Sequence, residues 1–268
     1  YQIDGMDLIQ KDLMPKHIGF IMDGNRRWAK QRHVPEISGH AKGGEALLKL
    51  IRFLYHADLG IKTITVYAFS TENWKRSQKE VDFLMDMFAA YIEEVYPYLK
   101  KYPIRLETIG DLEKLPKSIQ EVIETSKNIP LETAKLTLVL ALNYGGRDEL
   151  KRAFSKMAID FKNEMFTEED ISEDLIDQYL DTHPFGDPQL VIRTGKEKRI
   201  SNFLLWQSAY SEFHFSQSYW PDFSDKELVE ILLDYQSRDR RFGGNSNELG
   251  INPEASTQPE IPAFKSNE

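Results

Sequence analysis

The stretch HIGFIMDGNRRWAK, residues 17–30, decides how this chain is read. Its first six residues, 17–22, are a short apolar run. The next five place an acid, a glycine, an asparagine and two arginines in succession: Asp23, Gly24, Asn25, Arg26 and Arg27. An apolar run of this length that ends in Asp-Gly-Asn reads as a buried strand reaching a turn. Gly and Asn both tolerate positive φ, so the acid is expected at a strand's carboxyl end beside free backbone N–H groups. In an α/β sheet, ligands bind outside the carboxyl ends of the strands. One carboxylate among guanidinium groups suits a ligand that carries phosphate and a divalent cation.

Strand and helix patterns alternate through the rest of the chain. Residues 43–57 place Ala46, Leu47, Leu50, Ile51 and Leu54 at helical spacing, with Gly60 as the stop. TITVYA, 63–68, is rich in β-branched residues and reads as a second strand. Residues 78–98 form a long helical pattern whose apolar stripe is Val81, Leu84, Met85, Phe88, Tyr91, Ile92, Val95 and Tyr98. Further strands are expected at 104–109, 136–142, 189–193 and 212–216, with LTLVLAL at 136–142 the most apolar and central. Helices are expected from Leu115-Pro116 and at 147–161, 171–180 and 224–240. This alternation predicts a single α/β domain with a mostly parallel central sheet flanked by helices. Residues 1–13 form a leading segment, 14–244 the domain, and 245–268 a flexible tail poor in apolar residues.

Composition narrows the function. With 268 residues the chain can bury a sizeable core. A net charge of −9 argues against a general nucleic-acid binder, which would more often carry a basic face. The absence of cysteine rules out disulfides and thiolate metal sites. No apolar run has bilayer-spanning length, and YQIDGMDLIQKD lacks the basic-then-apolar pattern of a secretory signal, so a cytoplasmic protein is expected. There is no Gly-rich phosphate loop, no dinucleotide fingerprint, no Gly-x-Ser-x-Gly turn and no His-Glu-x-x-His helix. Phosphate binding would therefore fall to arginines and helix ends.

Four polar clusters follow expected strands: 23–27 with Gly39-His40, 69–76 (FSTENWKR), 143–147 (NYGGR) and 193–202 (RTGKEKRISN). In a parallel sheet these ends share one edge. Each cluster also has a plain reading. Residues 143–147 could be a helix-entry turn with an exposed Arg147. Ser70–Trp74 could be an N-cap with a packed aromatic, and 193–201 a charged surface loop. His40 could be structural and Asp23 a turn-former.

Taken together, IMDGNRRWAK, GH at 39–40, YAFSTENWKR at 67–76, LNYGGR at 142–147, RTGKEKRISNFLLWQSAYSEFHF at 193–215, WPDF at 220–223 and RRFGG at 240–244 resemble the cis-prenyltransferases, most of all the bacterial undecaprenyl diphosphate synthases. The resemblance runs from about residue 14 to 244. It implies an α/β domain with a deep hydrophobic tunnel, with 136–142 in its inner wall, and a homodimer. The implied reaction is Mg2+-dependent cis-condensation of isopentenyl diphosphate onto farnesyl diphosphate, giving a long chain that serves cell-wall glycan synthesis. A shorter product, or a non-catalytic partner subunit, are the alternatives. Loose membrane association through the apolar product is also implied.

Residue by residue, the resemblance makes Asp23 the essential acid that works with Mg2+, and Glu212 an acid linked to the metal. Gly24, Asn25, Arg27, His40, Trp74 and Arg76 would serve the allylic diphosphate, with His40 beside it. Asn73 and Ser70 would orient reactants or remove a proton. Arg193, Arg199, Ser201 and Arg241 would serve isopentenyl diphosphate. Four positions depart from the family pattern: Glu36 stands where an Arg is common, Lys196 and Arg26 where glycine is common, and Ser77 where proline is common. A carboxylate at 36 would repel a diphosphate unless it points away. A lysine at 196 would strain a loop that needs positive φ, or else add a cation.

Overall fold

The computed structural model describes residues 2–127, 130–238 and 242. The strands β1 (His17–Ile21), β2 (Thr63–Ser70), β3 (Ile104–Ile109), β4 (Leu136–Tyr144), β5 (Leu190–Arg193) and β6 (Glu212–Phe215) form one sheet in the order β3-β4-β2-β1-β5-β6. Every neighbouring pair is parallel. The helices are α1 (Asn25–Gln31), α2 (Glu36–Ala57), α3 (Gln78–Lys101), α4 (Lys117–Ser126), α5 (Gly146–Lys162), α6 (Glu173–Tyr179) and α7 (Asp225–Ser237). One compact unit extends to Gln236. The expected tail at 245–268 lies outside the described residues. No helix among the described residues is long and apolar enough to cross a membrane.

Strand periodicity sorts the core into two layers. Ile18, Phe20, Ile64, Val66, Leu138 and Leu140 share one core with Leu50 and Phe53 of α2, Leu84 and Ile92 of α3, Ile119 of α4 and Leu228 and Leu232 of α7. On the other face Ile21, Val139, Ala141 and Val191 pack with Tyr144, Phe203 and Leu204. Both faces are covered, so β4 is buried at all nine positions, as expected of a strand inside a parallel sheet. The leading segment is also docked. Ile3, Met6 and Ile9 pack on the first core, and Gln236 bonds the Gln10 N–H and the Leu8 carbonyl.

The strand order fixes where a ligand can go. The chain leaves β1 towards β2 on one side, whereas β5 leads to β6 on the other. Adjacent strands whose connections diverge leave a crevice at their carboxyl ends. Here that crevice lies between β1 and β5, paired as far as Ile21 and Arg193.

Two expectations change at the first turn. Asn25 is not in a positive-φ turn. It opens α1, a helix whose one buried residue is Ala29 and whose polar sequence gave no amphipathic signal. Gly24 alone has positive φ, at 113°, and a Cβ there would meet Tyr219 at 2.7 Å. The second helix starts at Glu36 rather than at residue 43. Gly39 and Gly43 hide its periodicity because their role is close approach: a Cβ on Gly39 would lie 2.1 Å from the Asn25 carbonyl oxygen, and one on Gly43 would meet the Asn25 side chain at 2.6 Å. The glycines thus seat α1 against α2. Gly39→Ala should push the helices apart and lower stability by about 2–3 kcal/mol, measured by chemical denaturation.

His17 begins β1 and is buried, its Nε2 2.7 Å from Thr65 Oγ1 and its Nδ1 3.0 Å from the Gly186 carbonyl. Burial drives its pKa down from 6.5 to about 4. The unfolded chain therefore binds the extra proton first, and stability falls as pH drops from about 6.5 towards 4. That shift corresponds to a loss of about 3 kcal/mol. Denaturation at pH 7.5 and pH 4.5 checks this, and the His17→Gln protein should lose less over the same interval.

Candidate active site

A cavity of about 690 Å3 opens at the carboxyl edge of the sheet. Its inner wall is apolar: Leu47 of α2, Leu84, Phe88 and Ile92 of α3, and Leu140 and Leu142 of β4. Its polar lining comes from Asp23, Gly24, Asn25, Arg26 and Arg27 after β1, His40 of α2, Ser70, Asn73 and Arg76 at and after the end of β2, and Arg193 and Ser201 at and after the end of β5. The volume falls within the range of small-molecule sites. The α3 stripe is divided. Leu84, Phe88 and Ile92 face the cavity, while Val81, Met85 and Val95 are buried in the core. The Tyr91 side chain lies outside what the structure describes.

Asp23 is held from several directions. Its N–H donates to Thr194 Oγ1 at 2.9 Å, and its carbonyl accepts from that hydroxyl at 2.8 Å and from the Trp220 N–H at 3.0 Å. Trp220 is itself fixed. It is buried, stacks on Phe223 and donates from Nε1 to the Gly43 carbonyl at 2.8 Å. The Asp23 carboxylate meets Arg193 Nη2 at 3.0 Å and Arg27 Nη2 at 3.2 Å on the same oxygen. It therefore sits between two guanidinium groups that arise 166 residues apart.

Arg193 is 6% exposed. Its Nη1 donates to Ser201 Oγ at 2.7 Å and to the Arg199 carbonyl at 2.8 Å, whereas its buried Nε has no hydrogen-bond partner. Buried donors are seldom left unpaired in proteins, and this one lies in the wall of the cavity. Arg27 and Arg199 are joined through Glu197, whose two carboxylate oxygens accept at 3.3 Å and 2.8 Å. Glu197, Trp220 and Thr194 were not singled out from sequence. The one available signal was an acid set among cations at 196–199, and it gives no hint of a partner at position 27.

The second cluster mixes both readings. Ser70 and Asn73 form a reciprocal cap on the 3-10 turn Thr71–Lys75, and the Asn73 side-chain oxygen accepts from the Ser70 N–H at 2.9 Å. Both still line the cavity. Trp74 packs edge-on against Phe69 and donates to Asn143 Oδ1 at 2.6 Å. His40 lies within α2, and burial, followed by the Arg76 guanidinium, lowers its pKa below 6.5 despite Glu80 and Glu36 nearby.

Some expected residues are placed elsewhere. The third cluster serves as architecture: Asn143 braces Trp74 and the Asp111 carbonyl, and Arg147 is an exposed residue of the first turn of α5. Glu212 begins β6 opposite Leu190, three residues back from the Phe215–Arg193 level, so within one chain it stands at the amino end of that strand. Arg199 is largely exposed on its loop, paired with Glu197. Arg241 lies outside the described residues. Lys196 does adopt positive φ, at 66°, and its ammonium lies over the Tyr219 ring that Arg27 also covers. Glu36 accepts from Arg26 at 3.1 Å, so two of the departures from the family pattern meet each other. Among the described residues no group of three or more His, Asp or Glu side chains is arranged to hold a metal ion.

Comparison with known proteins adds a family. The Prenyltransf family model, described as "Putative undecaprenyl diphosphate synthase", matches residues 21–243. An isoprenyl transferase of Staphylococcus saprophyticus is 43% identical over 240 residues, covering 90% of this chain and 92% of that protein. Among solved structures, lavandulyl diphosphate synthase from Lavandula x intermedia, in complex with dimethylallyl diphosphate, superposes with a TM-score of 0.82 at 34% identity, covering 87% of this chain and 99% of the other. A protein of Campylobacter jejuni described as a "probable undecaprenyl diphosphate synthase" gives 0.68 at 33%, covering 85% and 98%.

The loop that carries Ser201 is pinned by Asn202, which has positive φ at 65°. Its carbonyl accepts the Gly146 N–H at 2.7 Å and its side-chain oxygen accepts the Arg147 N–H at 3.0 Å, which caps α5. Asn202→Ala removes the cap and puts a Cβ residue less tolerant of left-handed backbone in its place. It should cost about 1–2 kcal/mol, and Asn202→Gly less, because glycine loses the same cap but keeps the left-handed backbone without strain. Equal denaturation midpoints for the two variants would contradict this account of the loop.

Proposed function

The chain belongs to the cis-prenyltransferase family, and from that membership we propose that it condenses isopentenyl diphosphate onto farnesyl diphosphate, repeatedly and with cis geometry, to give a long polyprenyl diphosphate of the undecaprenyl type. One observation carries the reading. The Asp23 carboxylate stands between Arg27, from the helix after β1, and Arg193, from the end of β5, in the lining of a cavity whose interior is apolar. Two diphosphates and one apolar chain fit that layout.

On this reading the allylic diphosphate lies with Arg27, Arg76, His40 and the Gly24-Asn25 turn, its hydrocarbon tail towards Leu84, Phe88 and Leu140. Isopentenyl diphosphate lies with Arg193, Arg199 and Ser201. The allylic C–O bond breaks with its electron pair passing to the diphosphate. The double bond of isopentenyl diphosphate supplies the new C–C bond, and a proton then leaves its C2. Guanidinium groups already in place stabilise the charge that grows on the leaving group. The apolar wall keeps water from the electron-poor carbon. His40 places a ring N–H beside the diphosphate. Ser70 and Asn73 are a hydroxyl and an amide, too weakly basic to retain a proton; they orient the reactants, and the released diphosphate is the acceptor.

Mg2+ fits the donors of the site. Magnesium binds through one or two carboxylates together with substrate phosphates and waters, and Asp23 is such a carboxylate. When bound it supplies charge neutralisation of the leaving diphosphate. The homodimer is proposed from the same family membership; within one chain Glu212 is level with Leu190 and Ile18 and stands back from Asp23. The apolar product would hold the enzyme loosely at a membrane face, with the chain itself working in the cytoplasm.

Incubation of the protein with farnesyl diphosphate, labelled isopentenyl diphosphate and Mg2+ should give products that grow to about undecaprenyl length. Chelation should stop the reaction. Asp23→Asn, which keeps an acceptor for Arg193, should lower kcat by about 10²–10³-fold while leaving the fold intact, the scale of losing a group that stabilises transition-state charge. Products that stop one or two units beyond farnesyl would replace the long-chain reading with a short-chain one.

A further inference from the structure

Arg26, Glu36, His40, Arg76 and Glu80 form a charged group where α1, α2 and the start of α3 meet. Arg26, His40 and Arg76 face the cavity. Arg26 Nη2 lies 3.1 Å from Glu36 Oε1, and its Nη1 lies 3.6 Å from Glu80 Oε1. That same Glu80 oxygen accepts from Arg76 Nη1 at 3.0 Å. Two guanidinium groups thus face two carboxylates, and this wall is electrically balanced. Arg27 and Arg193, which also line the cavity, are committed to Asp23.

A guanidinium has five donors in a planar fork, so Arg26 can hold one carboxylate and still present N–H groups to another anion. Its side chain and that of Glu36 are each about half exposed, at 50% and 55%. A pair this well solvated contributes little to folding and exchanges partners at low cost. The Glu36 carboxylate is held by the same guanidinium that faces the cavity, so it competes with an arriving polyanion for that cation.

We propose that Arg26 is a specificity-determining ligand of the allylic diphosphate and that Glu36, by competing for it, sets how tightly that diphosphate is held. This rests on the reading of the site given above. Glu36 is then a built-in attenuator, and the allylic affinity is tunable at a position that touches no reacting carbon.

The test measures binding of inorganic pyrophosphate and of farnesyl diphosphate to the full chain by calorimetry, together with the KM of each substrate. Arg26→Gln should weaken both ligands by about tenfold, the scale of one charge-assisted hydrogen bond. Glu36→Gln, which keeps an acceptor for Arg26 but removes the charge, should tighten both by about threefold. The double variant should match Arg26→Gln, and the KM for isopentenyl diphosphate should stay constant throughout. Unchanged binding by Arg26→Gln, weaker binding by Glu36→Gln, or a full threefold gain from Glu36→Gln in the Arg26→Gln background would each overturn the proposal. Thermal melts of each variant separate these outcomes from misfolding, and Glu80→Gln, predicted to tighten binding in the same direction, gives a second approach to the same pair. If the wild-type protein binds pyrophosphate in this Arg26-dependent way yet forms no prenyl product, the proposed reaction fails and the Arg26 assignment stands. If product forms and Arg26→Gln changes nothing, the reverse holds.

Discussion

The contact between Asp23 and Arg193, 3.0 Å across the seam of β1 and β5, is the constraint on which the rest of the site depends. Both residues stand at carboxyl ends of adjacent parallel strands whose onward connections part in opposite directions. Arg193 is nearly buried, and a buried guanidinium must be paired and hydrogen-bonded to be tolerated. Asp23, Ser201 and the Arg199 carbonyl meet that need at Nη1 and Nη2. The same three bonds tie the turn after β1 to the loop after β5. Thr194 doubles the tie by bonding the Asp23 backbone in both directions.

From this seam the cavity takes a divided character. Cations and amides crowd its mouth, and the sheet face with α2 and α3 gives an apolar interior. The division follows from topology. A strand inside a parallel sheet is apolar along its length, and only at its end does the chain return to polar residues. The WPDF segment closes the arrangement: Trp220 reaches from the Asp23 carbonyl to the Gly43 carbonyl, so the core packing of Trp220 on Phe20 and Phe223 also sets the turn that carries the acid.

Much of this was legible in the sequence, because β1, β2 and β4 announce themselves by apolar runs and Asp23 by the turn that ends one. The alternation of strand and helix gave the parallel sheet. What stayed hidden depends on distance along the chain or on small residues. α1 is polar on most of its surface, and the start of α2 is masked by Gly39 and Gly43, whose purpose is contact with Asn25 and not periodicity. Glu197 bridges Arg27 and Arg199, a relation that no local pattern can carry. Asn143–Arg147 follows a strand like the other clusters, yet its side chains turn to brace Trp74 and to begin α5. Sharing the sheet edge did not put them in the cavity, because a residue's direction at a strand end depends on the next turn. Glu212 resembled a metal acid by motif, but its register with Leu190 puts it at the amino end of β6.

The central claim is that the seam separates two anion sites, one on each side of Asp23. A crystal structure with a non-cleavable farnesyl diphosphate analogue, isopentenyl diphosphate and Mg2+ tests it most directly. The account predicts one diphosphate against Arg27 and Arg76 and the other against Arg193 and Ser201, with the Asp23 carboxylate between them and the farnesyl chain along Leu84, Phe88 and Leu140. Both diphosphates on the same side of Asp23, or a farnesyl chain outside the apolar cavity, would contradict it.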